Sequence, residues 1–143
     1  MALRFNPFTG NLDYFSAGGT ATATQAPKLI ATFDTDAGTD VGDLVIVNGA
    51  SSVTKITSNT ATEIPNGIFG VVTTKPSTVV AEVIFIGIQG GYSGFTIAEA
   101  LFVDTDGTLT HTAPATGTIQ QIGFAVSATE VFVNPKQAIR RAT

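Results

Sequence analysis

From Pro27 onward the chain is a succession of short apolar and β-branched runs separated by turn-forming residues, and no stretch carries the 3.6-residue apolar stripe of a capped amphipathic helix. Candidate strands are Lys28 to Phe33, Asp43 to Asn48, Val53 to Thr57, Gly67 to Thr74, Val79 to Gln89, Ala100 to Val103, Leu109 to Thr112, Ile119 to Val126 and Glu130 to Val133. Between them stand Asp40-Val41-Gly42, Asn48-Gly49, Pro65-Asn66-Gly67, Lys75-Pro76-Ser77, Gly90-Gly91, Asp106-Gly107 and Ala128-Thr129, which suit tight reversals. Thr96 to Leu101 has room for one helical turn at most, and Gln137 to Arg141 for another. The expected fold is all-β, an antiparallel β-sandwich or small β-barrel.

In a strand with one wet face, apolar and polar residues alternate. Leu44-Val45-Ile46-Val47, Val83-Ile84-Phe85-Ile86 and Ile68-Phe69-Gly70-Val71-Val72 are apolar on both faces, and Val131-Phe132-Val133 repeats this on a shorter scale. With no helix to cover the second face, the cover must come from a second sheet of the same chain or from another subunit. A domain of this size can hide some such strands inside a sandwich, but the expectation favours a homo-oligomer or a large partner surface. Its interface candidates are Val45, Val47, Ile84, Ile86 and Phe132.

Residues 1 to 26 differ from the body, residues 27 to 143. Arg4 to Phe15 reads RFNPFTGNLDYF, in which Pro7 opposes a helix and Thr9-Gly10-Asn11 supplies a turn. The small, uncharged stretch SAGGTATATQAP follows as a flexible or extended linker. Such an order suits an arm that docks on something; an ordinary first strand and loop is the other reading. MALRFNPF lacks the apolar core of a secretory signal, and no apolar run is long enough to span a bilayer as a helix, so a soluble protein is expected.

Charge and composition narrow the chemistry. Seven Lys and Arg against eleven Asp and Glu give a net charge of -4, which offers no basic field to nucleic acid or an anionic membrane. Without cysteine there is no disulfide, thiol nucleophile or Cys-ligated zinc, and His111 alone cannot form a multi-histidine metal site. Asp34-Thr35-Asp36 and Asp104-Thr105-Asp106-Gly107 have the spacing of calcium-loop carboxylates but lack the closing Glu, so they read as an acidic loop and a hairpin turn. Glu63, Glu82, Glu99 and Glu130 show no local signature of an acid and base pair. Ser93 misses the nucleophile-elbow pattern because Phe95 stands where glycine is required. Lys55 lies inside an alternating run rather than at a hairpin tip, which opposes a swinging-arm role, and no phosphate-cradling or dinucleotide motif occurs. Lys136, Arg140 and Arg141 gather basic charge near the end of the chain, as a solvated tail or as partners for acidic groups of another subunit. Neither a catalytic residue nor a cofactor is expected.

The opening RFNPFTGNLDYF resembles an amino-terminal segment found in small virion proteins of tailed bacteriophages. The body from Asp43 to Pro135, about two-thirds of the chain, resembles the β-rich capsid decoration (cement) proteins and related head and tail modules. The matching pieces are GDLVIVNG (Gly42 to Gly49), NGIFGVV (Asn66 to Val72), VVAEVIFIGIQGGYSG (Val79 to Gly94), LFVDTDGTLT (Leu101 to Thr110) and IQQIGFAVSATEVFVNP (Ile119 to Pro135). The resemblance implies a structural protein on the outer capsid surface of a virion, commonly a homotrimer, that bridges neighbouring capsomers of the major capsid protein. It implies that Arg4, Phe5, Asn6, Pro7, Phe8, Leu12, Asp13, Tyr14 and Phe15 form the capsid-binding arm. A head-fibre or tail-appendage adaptor and a carbohydrate-binding module, with Tyr92 and Phe95 as its aromatic candidates, are the alternatives.

Overall fold

A computed structural model describes residues 2–5, 12–15 and 28–141. Thirteen strands and no helix occur among the described residues: β1 (Ala2–Phe5), β2 (Leu12–Phe15), β3 (Leu29–Asp34), β4 (Leu44–Gly49), β5 (Ser52–Lys55), β6 (Gly70–Ser77), β7 (Val80–Gly90), β8 (Ala100–Val103), β9 (Leu109–Thr110), β10 (Thr118–Ile119), β11 (Gln121–Ala125), β12 (Glu130–Val133) and β13 (Ile139–Arg140). Two pairs, β1 with β2 and β10 with β13, are antiparallel sheets of their own. The other nine strands run in the order β3-β5-β4-β6-β7-β12-β11-β8-β9, and β3 also pairs with β7. That extra pairing closes β3, β5, β4, β6 and β7 into a five-stranded barrel, from which β12, β11, β8 and β9 continue as a second sheet. Strand β7 serves both, with Val80 to Ile86 on β3 and Gly87 to Gly90 on β12.

The doubly apolar strands are explained by two cores. Val45, Val53, Val72, Ala81 and Val83 pack together with the half-buried rings of Phe33, Phe69 and Phe85, and because all belong to barrel strands or their approaches this cluster is the barrel interior. Successive side chains along a strand point to opposite faces. Leu44, Val71 and Ile84, the immediate neighbours of Val45, Val72 and Val83, therefore point outward. There they meet Leu101, Val103, Ile122, Val131 and Val133 of the second sheet.

Of the two covers left open, a second sheet of the same chain or another subunit, the chain uses the first at these faces, where the expectation favoured the second. Of the interface candidates, Val45 and Ile84 are fully buried in this chain's own cores, where they present no surface to a neighbour. Val47 and Ile86 are 51% and 45% exposed, and Phe132 is half-buried.

Two expected turns are drawn differently. Lys75-Pro76-Ser77 lies within β6, and the chain reverses at Thr78 and Val79. Pro76 is tolerated because the β6–β7 register shifts between Thr74 and Ser77, so no regular ladder bond is asked of a residue without an N–H. The Gln137 to Arg141 tail is not helical; Ile139 and Arg140 pair with Ile119 and Thr118. Asp106-Gly107 does form the expected reversal, with Gly107 N–H donating to the Asp104 carbonyl and φ at +80°, a conformation glycine adopts without strain. Gly123 is required for another reason: a Cβ there would collide with the Phe132 carbonyl oxygen across the β11–β12 ladder.

Truncating Ile84 to alanine should lower unfolding free energy by about 2–5 kcal/mol, the range for deleting a buried aliphatic side chain. The urea midpoint of this variant should not depend on protein concentration; a concentration-dependent midpoint would return Ile84 to an intersubunit surface.

Candidate functional site

The expected arm residues fall into two groups. Arg4, Phe5, Leu12, Asp13, Tyr14 and Phe15 lie on the β1–β2 ribbon, whereas Asn6, Pro7 and Phe8 lie outside the described residues. The register sets Ala2 opposite Phe15, Leu3 opposite Tyr14, Arg4 opposite Asp13 and Phe5 opposite Leu12. Opposed positions of an antiparallel pair share a face, so positions 3, 5, 12 and 14 fall on one face and 2, 4, 13 and 15 on the other. Positions 3, 5, 12 and 14 are Leu, Phe, Leu and Tyr; positions 2, 4, 13 and 15 are Ala, Arg, Asp and Phe.

On the body, the second sheet presents an apolar row to solvent. Ile88 of β7 is opposite Phe132 of β12, Phe132 is opposite Phe124 of β11, and Phe124 is opposite Ala100 of β8. The Phe124 and Phe132 rings stack at 5.2 Å, and Phe124 is 42% exposed. The alternate residues Val131, Val133 and Ala125 face the core, which is why this row must face outward. A second exposed apolar pair, Leu29 opposite Ile86, lies where β3 meets β7. Of these residues the sequence reading singled out Ile86 and Phe132; the others are legible only once the register is known.

Tyr92 and Phe95 line a cleft of about 370 Å³ with Asp43, Ser93 and Leu109. Neither ring stands free as a stacking platform, since both are half-buried against the outer core. Tyr92 donates its hydroxyl hydrogen to the Gly42 carbonyl at 3.1 Å, and burial, with the Asp43 charge, pushes its phenol well above the ordinary range. Phe95 meets His111 edge to face at 5.4 Å. The imidazole Nε2 accepts from the Thr96 backbone N–H at 3.0 Å, and Nδ1 lies 3.3 Å from the Glu99 carboxylate. A histidine beside a glutamate resembles half of a catalytic triad, but here the Nε2 lone pair is engaged by a backbone amide. Through that bond the ring anchors the 95–99 turn.

The carboxylates are engaged locally. Asp36 accepts from the Thr54 and Thr39 hydroxyls at 2.8 and 3.0 Å and from Gly38 N–H, and these bonds hold its carboxyl below the usual range. Lys75 closes the same loop by donating to the carbonyls of Asp36, Ala37 and Thr39. Thr108 does for Asp106 what Thr54 does for Asp36, through its hydroxyl and its N–H. Lys55 pairs with Asp43 at 3.2 Å. Burial raises the Glu63 carboxyl, but bonds from the Ser58 hydroxyl and from the N–H and hydroxyl of Thr57 outweigh it and leave the group lowered. Among the described residues, no group of three or more His, Asp or Glu could hold a metal ion.

Sequence reasoning missed Gln120. It is buried, accepts from Ile68 N–H, and donates to the carbonyls of Ile68 and Lys136. One side chain thereby imitates a strand partner for the Pro65 to Ile68 segment and ties it to β13's approach. Gln120 stands between β10 and β11 beside a second glutamine, Gln121, so the local sequence does not single it out. Comparison with protein-family models, with curated proteins and with solved structures finds no match to this chain.

Because the Glu63 carboxyl is lowered by folding, its contribution to stability is present above the ordinary value of 4.5 and is lost as pH falls through the folded value. The stability gap between the native protein and Glu63→Gln should be widest above that pH and close on acidification. Urea denaturation across pH measures it; a pH-independent gap would contradict this role.

Proposed function

We propose that this chain is a structural virion protein that binds the outer surface of a tailed-phage capsid and stabilises it by bridging neighbouring capsomers. The observation that carries the reading is the amino-terminal ribbon, a two-stranded sheet of its own with an apolar set of positions on one face. A lone two-stranded ribbon is marginal in water and gains stability by laying an apolar face on a larger surface. Supporting it are the resemblance of RFNPFTGNLDYF and the body to decoration proteins, and the outward-facing row of half-buried Ile88, Phe132 and Ala100 with exposed Phe124. The partner in this reading is the major capsid protein, and the homotrimer is the form that places three ribbons on neighbouring capsomers. Weak single contacts then become firm attachment because many copies act on one shell.

The test is co-sedimentation with purified capsids of the phage that encodes the chain. Full-length protein should pellet at a fixed ratio to the shell, and a variant lacking residues 1–15 should stay in the supernatant while keeping its melting temperature. Equal pelleting of both would remove the ribbon from the attachment mechanism, and failure of the full-length protein to pellet would remove the capsid as its partner.

A further inference from the structure

Two depressions in the body share Pro65, Asn66 and Ile68 as a common wall, the segment that Gln120 holds in place. One, about 310 Å³, lies between that wall and the carboxy-terminal strand β13, and Thr118, Lys136, Gln137 and Arg140 line it. The other, about 170 Å³, is bordered by Ile46, Val47 and Phe69. Neither is lined by a carboxylate, in a chain whose net charge is -4.

The first depression has unanswered hydrogen-bonding and charge capacity. Lys136 and Arg140 make no ion pair among the described residues. The Thr118 hydroxyl is fully buried with no partner, and Thr118 stands opposite Arg140 in the β10–β13 register, on the same face. Arg140 is already fixed: its Nη2 donates to the Pro65 carbonyl at 2.6 Å, which leaves the rest of the guanidinium for an outside acceptor. A guanidinium held this way loses little freedom when it takes a planar, two-oxygen acceptor. The second depression offers the opposite chemistry, with Val47 51% exposed beside Phe69.

A small anion would use only the first depression and an apolar molecule only the second. We propose that the double groove binds a short peptide segment of a partner protein in which a carboxylate side chain stands next to an apolar one. The carboxylate meets Arg140 and Lys136, and the apolar side chain lies against Val47 and Phe69. This site lies on the body and does not depend on attachment through the ribbon.

The test is a titration of full-length, 15N-labelled protein, followed by amide shifts, with an acetylated and amidated Leu-Asp-Leu-Asp peptide. Shifts should gather at residues 64–69, 118–120 and 136–140. The same peptide with Asn for Asp should bind at least about tenfold more weakly. Lys136→Gln, at an exposed position with no fold contact through its ammonium, should weaken the acidic peptide without moving the spectrum of the free protein, and Val47→Ser should weaken both peptides. Equal binding of the Asn peptide, absence of shifts at the groove, or matching shifts from sodium acetate at the same concentration would each overturn the proposal, the last by showing an anion site with no preference for a peptide.

Discussion

The architecture depends on one strand holding two different surfaces apart. Along β7, Ala81 and Val83 face the barrel interior while Ile84 faces the second core, and past Gly87 the same strand becomes a member of the second sheet. Its backbone satisfies β3 and β6 at one end and β12 at the other, so the barrel cannot close without placing the second sheet over its flank. The apolar area on both faces of β4, β6 and β7 is thereby removed from water within one chain, by the same burial that drives any core together.

Much of this was legible from residue pattern and some was not. Ala100–Val103 and Glu130–Val133 were read to the residue, as short apolar runs with polar or turn-forming residues at their ends. The double apolarity of Leu44-Val45 and Val83-Ile84 was correctly recognised as needing two covers. The source of the second cover was not, since periodicity reports that a face is buried and is silent on which chain buries it. Likewise the Ile119 to Val126 run splits at Gln120 into β10 and β11 for a reason found 52 residues away, at the Ile68 backbone. A long-range polar cross-link of this kind leaves no distinguishing mark in the local sequence, where Gln121 stands beside Gln120.

The surface follows a similar logic. Phe124 and Phe132 were visible as apolar residues, but the row they make with Ile88 and Ala100 exists only through the ladder register. Asp36, read in sequence as part of an acidic loop, and Glu63, which carries no local signature, fasten loops through threonine and serine hydroxyls, which suits a chain that is poor in charge and rich in hydroxyls. In the proposed reading, the ribbon, the outward-facing row and the groove beside Pro65 serve as recognition surfaces, while the strands of the body are already satisfied. That division would let attachment change without unfolding what carries it.

The central claim is that the body needs no second subunit to bury its doubly apolar strands, and amide hydrogen exchange on the full-length protein tests it most directly. The amides of Val72, which donates to the Asp43 carbonyl, and of Val83 and Ile84, set between β6 and β3, should exchange only through global opening, with the same protection at high dilution as in concentrated solution. Protection at those three amides that falls away as the protein is diluted would show that a neighbouring copy supplies their cover.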